Sequence, residues 1–312
     1  MKISVVIPLY NKINSFKSTV QSVLSQTYEN FELIIVNDGS TDRSETILET
    51  LNDDRIKLIN IKNSGVAVAR NKGIELASSN YVCLLDADDL WLPEHLCNIN
   101  LLISKYPECS LYSSCFCEIL ETGDKFLGKN SYPHNYLGIV NDFYIEYSRS
   151  RSLINSSSVC LNKKMFNKIG GFPAGIKLGE DIYVWLRMAM LGKMAYSNSP
   201  QVIIRRNAEN RTVNRVSNDI LYHVTHFTEK KYHQSDFNFY QLNSLNQFLI
   251  KNIFVNALFS LSIDDEITFT KYLKAMKTLS TYNYYLLQLL GKFSSPRALK
   301  LLKKIRNNIQ SM

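Results

Sequence analysis

The sequence predicts an α/β protein: a mostly parallel, doubly wound sheet with helices on both faces, followed by a helical carboxyl-terminal region. Three observations predict this. Through the first ninety residues, short β-branched runs alternate with amphipathic segments of helical length, a βαβαβαβ rhythm. These runs are apolar almost throughout, as strands covered on both faces are. Past about Asn214 the strand signals fade, so a soft boundary separates residues 1–214 from a helical 215–312.

In chain order, the strands are "ISVVIPL", "FELIIVN", "IKLINI" and "YVCLLD". The helices between them start after Asn14 or Ser15, after Ser40 or Thr41, and after Ser64-Gly65, residue types that cap helix amino termini. "LPEHLCNINLLISKY" follows as a helix with Pro93 near its first turn, and "SLYSSCFCEIL" as a strand. From about Thr122 to Arg151, Gly, Pro, Asn and Tyr dominate, so this stretch reads as a long, partly irregular connection and a candidate acceptor-side flap. Regular structure resumes with the strand "SSSVCLN", the short helix "KKMFNKIG", a Gly170-Gly171 turn and a helix through "EDIYVWLRMAMLG" closed by Gly192. Helices are expected over about 216–232, 236–260, 266–290 and 296–309.

At 312 residues the chain can bury a sizeable core and still afford a cleft. No apolar run of about 18 residues suits a bilayer span, and the start reaches Asn11 and Lys12 too early for a secretory signal. The expected location is therefore the cytoplasm. The six cysteines fit a reducing compartment, and a lone C-x-C at Cys115 and Cys117 has no second pair to complete a zinc site. The net charge of +8 belongs to the end of the chain, which carries nine basic and no acidic residues from Lys271 onward. The remainder, 27 basic against 28 acidic residues, is near neutral.

Ligands of open parallel sheets bind beyond the carboxyl ends of the strands. Three polar clusters are expected at that edge: Pro8-Leu9-Tyr10-Asn11, Asn37-Asp38-Gly39-Ser40 and Asp86-Ala87-Asp88-Asp89. Two carboxylates at i, i+2 can hold a hard divalent cation, Mn²⁺ or Mg²⁺, with a diphosphate completing the oxygen shell. The plainer reading is a turn or helix cap supplied by Asp88 or Asp89. Asp38 has the same alternative, Tyr10 either packs on the surface or stacks on a base, and Arg70 either binds phosphate or lies on a solvated helix face.

"ISVVIPLYNK", "LIIVNDGSTDRS", "NSGVAVARNKGI", "YVCLLDADD" and "GGFPAGIKLGEDIYVWLRMAMLGK" together resemble the successive blocks of the family 2 glycosyltransferases, which have the Rossmann-like GT-A fold. The resemblance spans about residues 1–214. It implies that Pro8, Tyr10 and Asp38 surround the nucleobase of a nucleotide-sugar donor, with Arg70 and Asn71 nearby. Asn11 and Ala87, in the same loops, complete that set. Asp86 falls on the ribose and metal side of the D-x-D motif, Asp88 on the metal ligand, and Glu180-Asp181 on the "ED" pair. The second member, Asp181, is implied as general base of an inverting transfer, with Glu180 in support or simply complementing the helix dipole. Relatives often carry an R-x-H cluster after that helix. Here "IIRRNAENRTVNR" has Asn207 in its place, so a third metal ligand is in question and Arg205, Arg206 and Arg211 are candidate phosphate contacts. His95 reads as an ordinary helix residue, and Asp89 as the cap of the helix after it.

Ala298, Leu301, Leu302, Ile305 and Ile309 form one apolar stripe on a basic terminal helix. Such a helix either lies on an anionic membrane surface or packs on its own domain. No nucleic-acid-binding motif accompanies it. The expected activity is a metal-dependent, inverting transfer of one sugar, from a UDP-sugar to a hydroxyl of a saccharide acceptor. A polyprenyl-diphosphate-linked acceptor in O-antigen or capsule assembly, reached from the inner face of the cytoplasmic membrane, suits the tail. The processive Q-x-x-R-W motif is missing. A sugar-nucleotide nucleotidyltransferase is the enzymatic alternative, although "IPLYNK" lacks the expected glycine, and a noncatalytic membrane scaffold would not need Asp86, Asp88 and Asp181 together.

Overall fold

The computed structural model describes residues 1–176, 178–210, 219–229, 238–263 and 265–292. Its strands are β1 (Ile3–Leu9), β2 (Phe31–Asp38), β3 (Ile56–Ile61), β4 (Tyr81–Leu84), β5 (Leu90–Trp91), β6 (Leu111–Ile119), β7 (Lys125–Leu127), β8 (Leu137–Ile139), β9 (Val159–Asn162) and β10 (Met194–Arg205). They form one sheet in the order β3-β2-β1-β4-β9-β6-β10-β5, with β7 added to β6 and β8 to β10. The first four strands are mutually parallel, as their apolar runs predict. Every residue of β1 and β2 is buried. β3 pairs only with β2 and exposes Lys57 and Leu58, because an edge strand needs only one neighbour. Beyond β4 the sheet becomes mixed. β9 runs antiparallel between β4 and β6, and the long β6–β10 pair is parallel.

The helices that precede β10 in the chain are α1 (Phe16–Leu24), α2 (Val66–Leu76), α3 (His95–Lys105), α4 (Phe143–Arg149), α5 (Lys163–Lys168) and α6 (Glu180–Leu191). α2 packs on the sheet so closely that a Cβ on Gly73 would lie 2.3 Å from Val6 Cγ1. Only glycine permits that approach.

Several local expectations are corrected. The expected helix after Ser40-Thr41 is a tighter 3₁₀ run, Ser44–Thr50, entered through Arg43 at φ 61° with Asp42 Oδ1 accepting the Ser44 amide at 3.0 Å. α3 begins two residues after Pro93, because Leu90–Trp91 first pairs with Ile203 and Val202 of β10. His95 is fully buried, with its ring 4.3 Å from that of Trp91 and Nδ1 3.2 Å from Ser114 Oγ. Burial pushes its pKa down to about 3, so it is neutral. Residues 122–151 hold β7, β8 and α4 rather than irregular chain alone.

The chain divides into two compact units. One contains residues 1–143 and the described residues of 151–212; the other contains residues 144–150 and the described residues after 212. The described residues of the second unit hold most of α4 together with α7 (Tyr222–Thr228), α8 (Phe239–Ser262), α9 (Glu266–Leu279) and α10 (Thr281–Lys292). Its core gathers Val224, Ile253, Leu258, Phe269, Tyr272, Met276 and Leu287. The single helix expected over 266–290 is broken at Ser280, whose backbone is extended and whose Oγ accepts the Asn283 amide at 3.3 Å. The expected terminal helix at 296–309 lies outside the described residues. No helix among the described residues is long and apolar enough to cross a membrane.

Candidate active site at the carboxyl edge of the parallel strands

The last bond of the β1–β4 ladder runs from the Leu85 amide to the Val6 carbonyl at 3.1 Å. Pro8, buried in β1 two residues further on, has no N–H to extend it, so the chain turns away into Asp86-Ala87-Asp88. The turn is fixed from behind. Ser157 Oγ accepts the Asp86 amide at 3.1 Å, and the Ala87 carbonyl accepts Thr19 Oγ1 at 3.0 Å.

Asp89 is not a helix cap. Its buried carboxylate accepts Ser157 Oγ at 2.5 Å and the Arg205 amide at 2.9 Å, stitching the loop to β9 and β10 from behind. Burial first, then the charges of Asp88 and Asp86, push its pKa up to about 7.

The two carboxylates in front are held by side-chain cations. Asp86 Oδ1 accepts Arg70 Nη2 at 2.7 Å, and Asp88 Oδ2 accepts Lys12 Nζ at 2.6 Å. The second oxygens, Asp86 Oδ2 and Asp88 Oδ1, make no hydrogen bond among the described residues. Burial and the neighbouring charge of Asp86 raise the Asp88 pKa, and Lys12 opposes them.

Arg70 connects this loop to the start of α6. Its side chain is 5% exposed, and Nη1 lies 3.5 Å from Glu180 Oε1. Burial works against its charge, but Asp86, Glu180 and Asp181 all act to hold it protonated. Because the shorter contact goes to Asp86, Glu180 is left undercompensated. Burial and the charge of Asp181 push Glu180 up to about 7 against the pull of Arg70. Nε and Nη1 of Arg70 are buried without a hydrogen-bond acceptor. Asp181 is half-buried and, among the described residues, accepts only the adjacent Ile182 amide, at 2.7 Å, with its second oxygen unbonded there.

Most of the remaining expected residues also make contacts that hold the loops of this edge in place. Asp38, at the end of β2, accepts the Ser64 and Gly65 amides at 2.7 and 2.8 Å. It thereby fixes the turn that leads into α2, which has no side-chain cap. Asn71 donates to the Phe172 carbonyl at 2.8 Å and accepts its amide at 2.9 Å, clamping the turn through Gly171, at φ 84°, that leads toward α6. Asn11, at φ 52°, accepts the Thr41 amide at 2.8 Å and so joins the first two loops. Tyr10 beside it is half-buried. The Arg205 guanidinium, expected at a phosphate, turns inward to the Asp88 carbonyl, Ser18 Oγ at 2.9 Å, the Ser15 carbonyl at 3.2 Å and Thr19 Oγ1 at 3.1 Å. Arg206 pairs with Glu118. Arg211 lies outside the described residues.

Sequence reasoning missed Lys12, Ser157 and Glu209. Lys12 could have been noticed as the cation of the "YNK" block. Glu209 had no local signal: its Oε1 accepts the Asn14 and Ser15 amides, both at 3.1 Å, and Ser15 Oγ at 2.8 Å. Ser15 therefore does not cap α1 with its own side chain.

The loop fits a divalent cation in its chemistry. Two hard oxygens, one from each D-x-D carboxylate, are unbonded, and the ammonium of Lys12 already marks a cation position against Asp88. Among the described residues, no group of three or more His, Cys, Asp or Glu could close a metal shell. The remaining ligands would have to come from a bound molecule.

The profile described as "Glycosyl transferase family 2" matches residues 4–160. An uncharacterized glycosyltransferase of Rickettsia bellii is 31% identical over 216 residues, 68% of this chain and 30% of that protein. Glycosyltransferase GlyA of Streptococcus pneumoniae is 31% identical over 207 residues, 63% of this chain and 29% of that protein. The chain thus spans about a third of the length of these relatives. It covers more of TuaG of Bacillus subtilis, a glycosyltransferase assigned by name to teichuronic acid biosynthesis: 30% identity over 198 residues, 62% of this chain and 74% of TuaG. The S. aureus TarS 1-349 structure in complex with UDP-GlcNAc superposes with a TM-score of 0.73 at 17% identity, covering 99% of this chain and 90% of TarS 1-349. With its sheet, its D-x-D edge and these matches, the chain belongs to glycosyl transferase family 2.

Proposed function

We propose that the protein is an inverting glycosyltransferase that moves one sugar from a UDP-sugar to a hydroxyl of a saccharide acceptor. The observation that carries this reading is the bridge of Arg70 between Asp86 and Glu180, which brings the D-x-D loop and the start of α6 to one edge of the parallel strands. Folds of this kind take their ligands there. The UDP-GlcNAc complex of TarS, a protein of the same fold, supports the choice of donor.

The nucleoside would lie along the Tyr10 and Asp38 loops, with Tyr10 offering a ring to the base. Asp86 would meet the ribose, and Asp86 and Asp88 would hold Mn²⁺ or Mg²⁺. That ion would supply positive charge for the departing diphosphate. Arg70, with buried donors to spare, adds a fixed cation beside the same phosphates. Asp181 takes the proton of the attacking hydroxyl as the new carbon–oxygen bond forms and the bond to the diphosphate breaks. The electron pair leaves with UDP, and displacement from the opposite face inverts the anomeric centre.

For the acceptor we infer a lipid-linked saccharide, carried on a polyprenyl diphosphate, in surface-polysaccharide assembly of the O-antigen or capsule kind. The segment 122–151 would border that acceptor. The name of TuaG supports the pathway class. An anionic membrane surface is the proposed partner of the carboxyl-terminal region. Tyr282, Tyr285 and Leu289 share an exposed face of α10, and nine basic residues with no acidic one run from Lys271 onward.

UDP release from a panel of nucleotide sugars, with and without Mn²⁺, tests the reading. It should occur with one donor, rise with Mn²⁺ and fall about 10²–10⁴-fold in Asp181→Asn. No release with any donor, or full activity in that variant, would overturn it.

A further inference from the structure

Lys12, just beyond the end of β1, places its ammonium on a D-x-D carboxylate, whereas the guanidinium of Arg205 at the end of β10 meets only the backbone of that loop. The Lys12 side chain is 11% exposed, and its three N–H donors meet three acceptors: Asp88 Oδ2 at 2.6 Å, the Glu209 carbonyl and, at 3.3 Å, the Asn210 carbonyl. The ammonium is therefore saturated. Around it, Glu209 holds the amino terminus of α1 through its carboxylate, and Asn210 Nδ2 donates to the Tyr10 carbonyl at 3.3 Å. Lys12 thus ties three pieces together: the loop after β1, the D-x-D loop and the segment 209–210.

A lysine in this position cannot keep its contact once a divalent ion is bound to Asp88. Three positive charges would then crowd one carboxylate, and the ammonium, on a flexible four-carbon stem, is the party able to move. A nucleoside diphosphate arriving with the ion brings new anionic oxygens to the same edge.

We propose that Lys12 is an exchangeable counter-cation. It neutralises Asp88 when the site is empty, yields that carboxylate to the divalent ion, and transfers its ammonium to the diphosphate of the donor. This rests on the proposed donor and metal. It adds a fourth participant, which both weakens metal binding in the absence of nucleotide and strengthens it in its presence. Ordered loading, with ion and nucleotide favouring one another, follows from the charge exchange.

The test measures free Mn²⁺ by electron paramagnetic resonance over the intact protein, with and without UDP, for the wild type and Lys12→Met. Without UDP, Lys12→Met should bind Mn²⁺ at least tenfold more tightly, because a competing cation has been removed. The strengthening by UDP should shrink at least tenfold in the variant. Equal or weaker Mn²⁺ binding by a folded Lys12→Met would overturn the proposal and assign Lys12 to a permanent tether.

A second measurement needs no variant. Acylation of lysines by an amine-reactive ester, mapped by mass spectrometry, should be slow at Lys12 in the wild type. It should accelerate severalfold with Mn²⁺ alone and slow again when UDP is added. An unchanged Lys12 rate with Mn²⁺ bound would overturn the exchange. If Mn²⁺ binds neither protein under any condition, the metal reading itself fails and the exchange with it. If Mn²⁺ and UDP bind together but both Lys12 results are negative, only the exchange fails.

Discussion

The loops after β2 and after β4 lie at the same edge of the sheet, and both present aspartates, but they spend them differently. Asp38 gives both oxygens to backbone amides, those of Ser64 and Gly65, and is buried. Among the described residues, the carboxylates of Asp86 and Asp88 are met by the side chains of Arg70 and Lys12, and each keeps one oxygen unbonded. A backbone amide cannot leave without unmaking the turn that carries it, whereas an arginine or lysine head can change partners at the cost of a rotamer. The difference separates acids built into the scaffold from acids whose partners can be exchanged. Asp38, Asp89 and Glu209, each holding backbone amides of a distant segment, fall in the first class, and Asp86 and Asp88 in the second; Asp181, bonded among the described residues to the adjacent Ile182 amide, holds no distant segment in place.

The sharpest break of that comparison is at Asp181. Its only hydrogen bond among the described residues is to the next amide in the chain, so Asp181→Asn should leave the melting temperature within a degree or two of wild type. Turnover should nevertheless fall about 10²–10⁴-fold, the usual contribution of a general base. UDP release and a thermal melt on the same preparation check both halves. A large loss of stability would move Asp181 into the scaffold class.

Glu180, one residue before it, gives the next effect, and its sign follows from the site. The carboxyl is pushed from 4.5 to about 7, by burial first and by Asp181 second, so the folded protein holds this proton more tightly than the unfolded chain does. Its stabilising contribution is complete below about pH 4.5 and is lost as pH rises through about 7. Glu180→Gln should therefore flatten part of the decline in stability across that window. The difference between the wild-type and variant curves should amount to about 1–3 kcal/mol. Urea titrations at intervals from pH 4.5 to 8 measure it, and a wild type that gains on the variant with rising pH would reverse the assignment.

Asp38→Ala tests the scaffold side. Two charge-assisted bonds to the amides that precede α2 are lost, and leaving them uncovered costs about 1–3 kcal/mol. That loss should appear in a urea melt. Activity per folded molecule should fall far less than in Asp181→Asn, with the donor KM rising because Arg70 sits in the second turn of the same helix.

How far the sequence reveals this division depends on distance along the chain. The parallel strands were legible because burial on both faces leaves an unbroken apolar run, and the position of Asp86 and Asp88 was legible because they end such a run. Their partners were not. Lys12 lies 76 residues from Asp88, and Glu209 lies 194 residues from Ser15, so no local pattern joins them. Cap-forming residues misled for the same reason. Ser15 and Ser64 have the right chemistry at the right position, but a distant carboxylate holds the chain by the amides at and just before each helix start, and neither helix has a side-chain cap. Asp89 reads locally as a cap and is drawn instead to β9 and β10.

Ser15→Ala gives the smallest effect and separates local from distant capping. A serine that capped α1 with its own hydroxyl would cost about 1 kcal/mol when replaced, and up to about 2 in the strongest cases. Here the hydroxyl only donates to Glu209 Oε1, which still accepts the Asn14 and Ser15 amides after the substitution. The expected loss is therefore about 0.5 kcal/mol, the lower end of a single hydrogen bond, while Glu209→Ala uncovers both amides and should cost about 1–2 kcal/mol. Parallel urea melts of the two variants decide the order. A larger loss in Ser15→Ala would return the cap to the serine and remove Glu209 from the scaffold acids, which would leave the segment next to Lys12 without its anchor on α1.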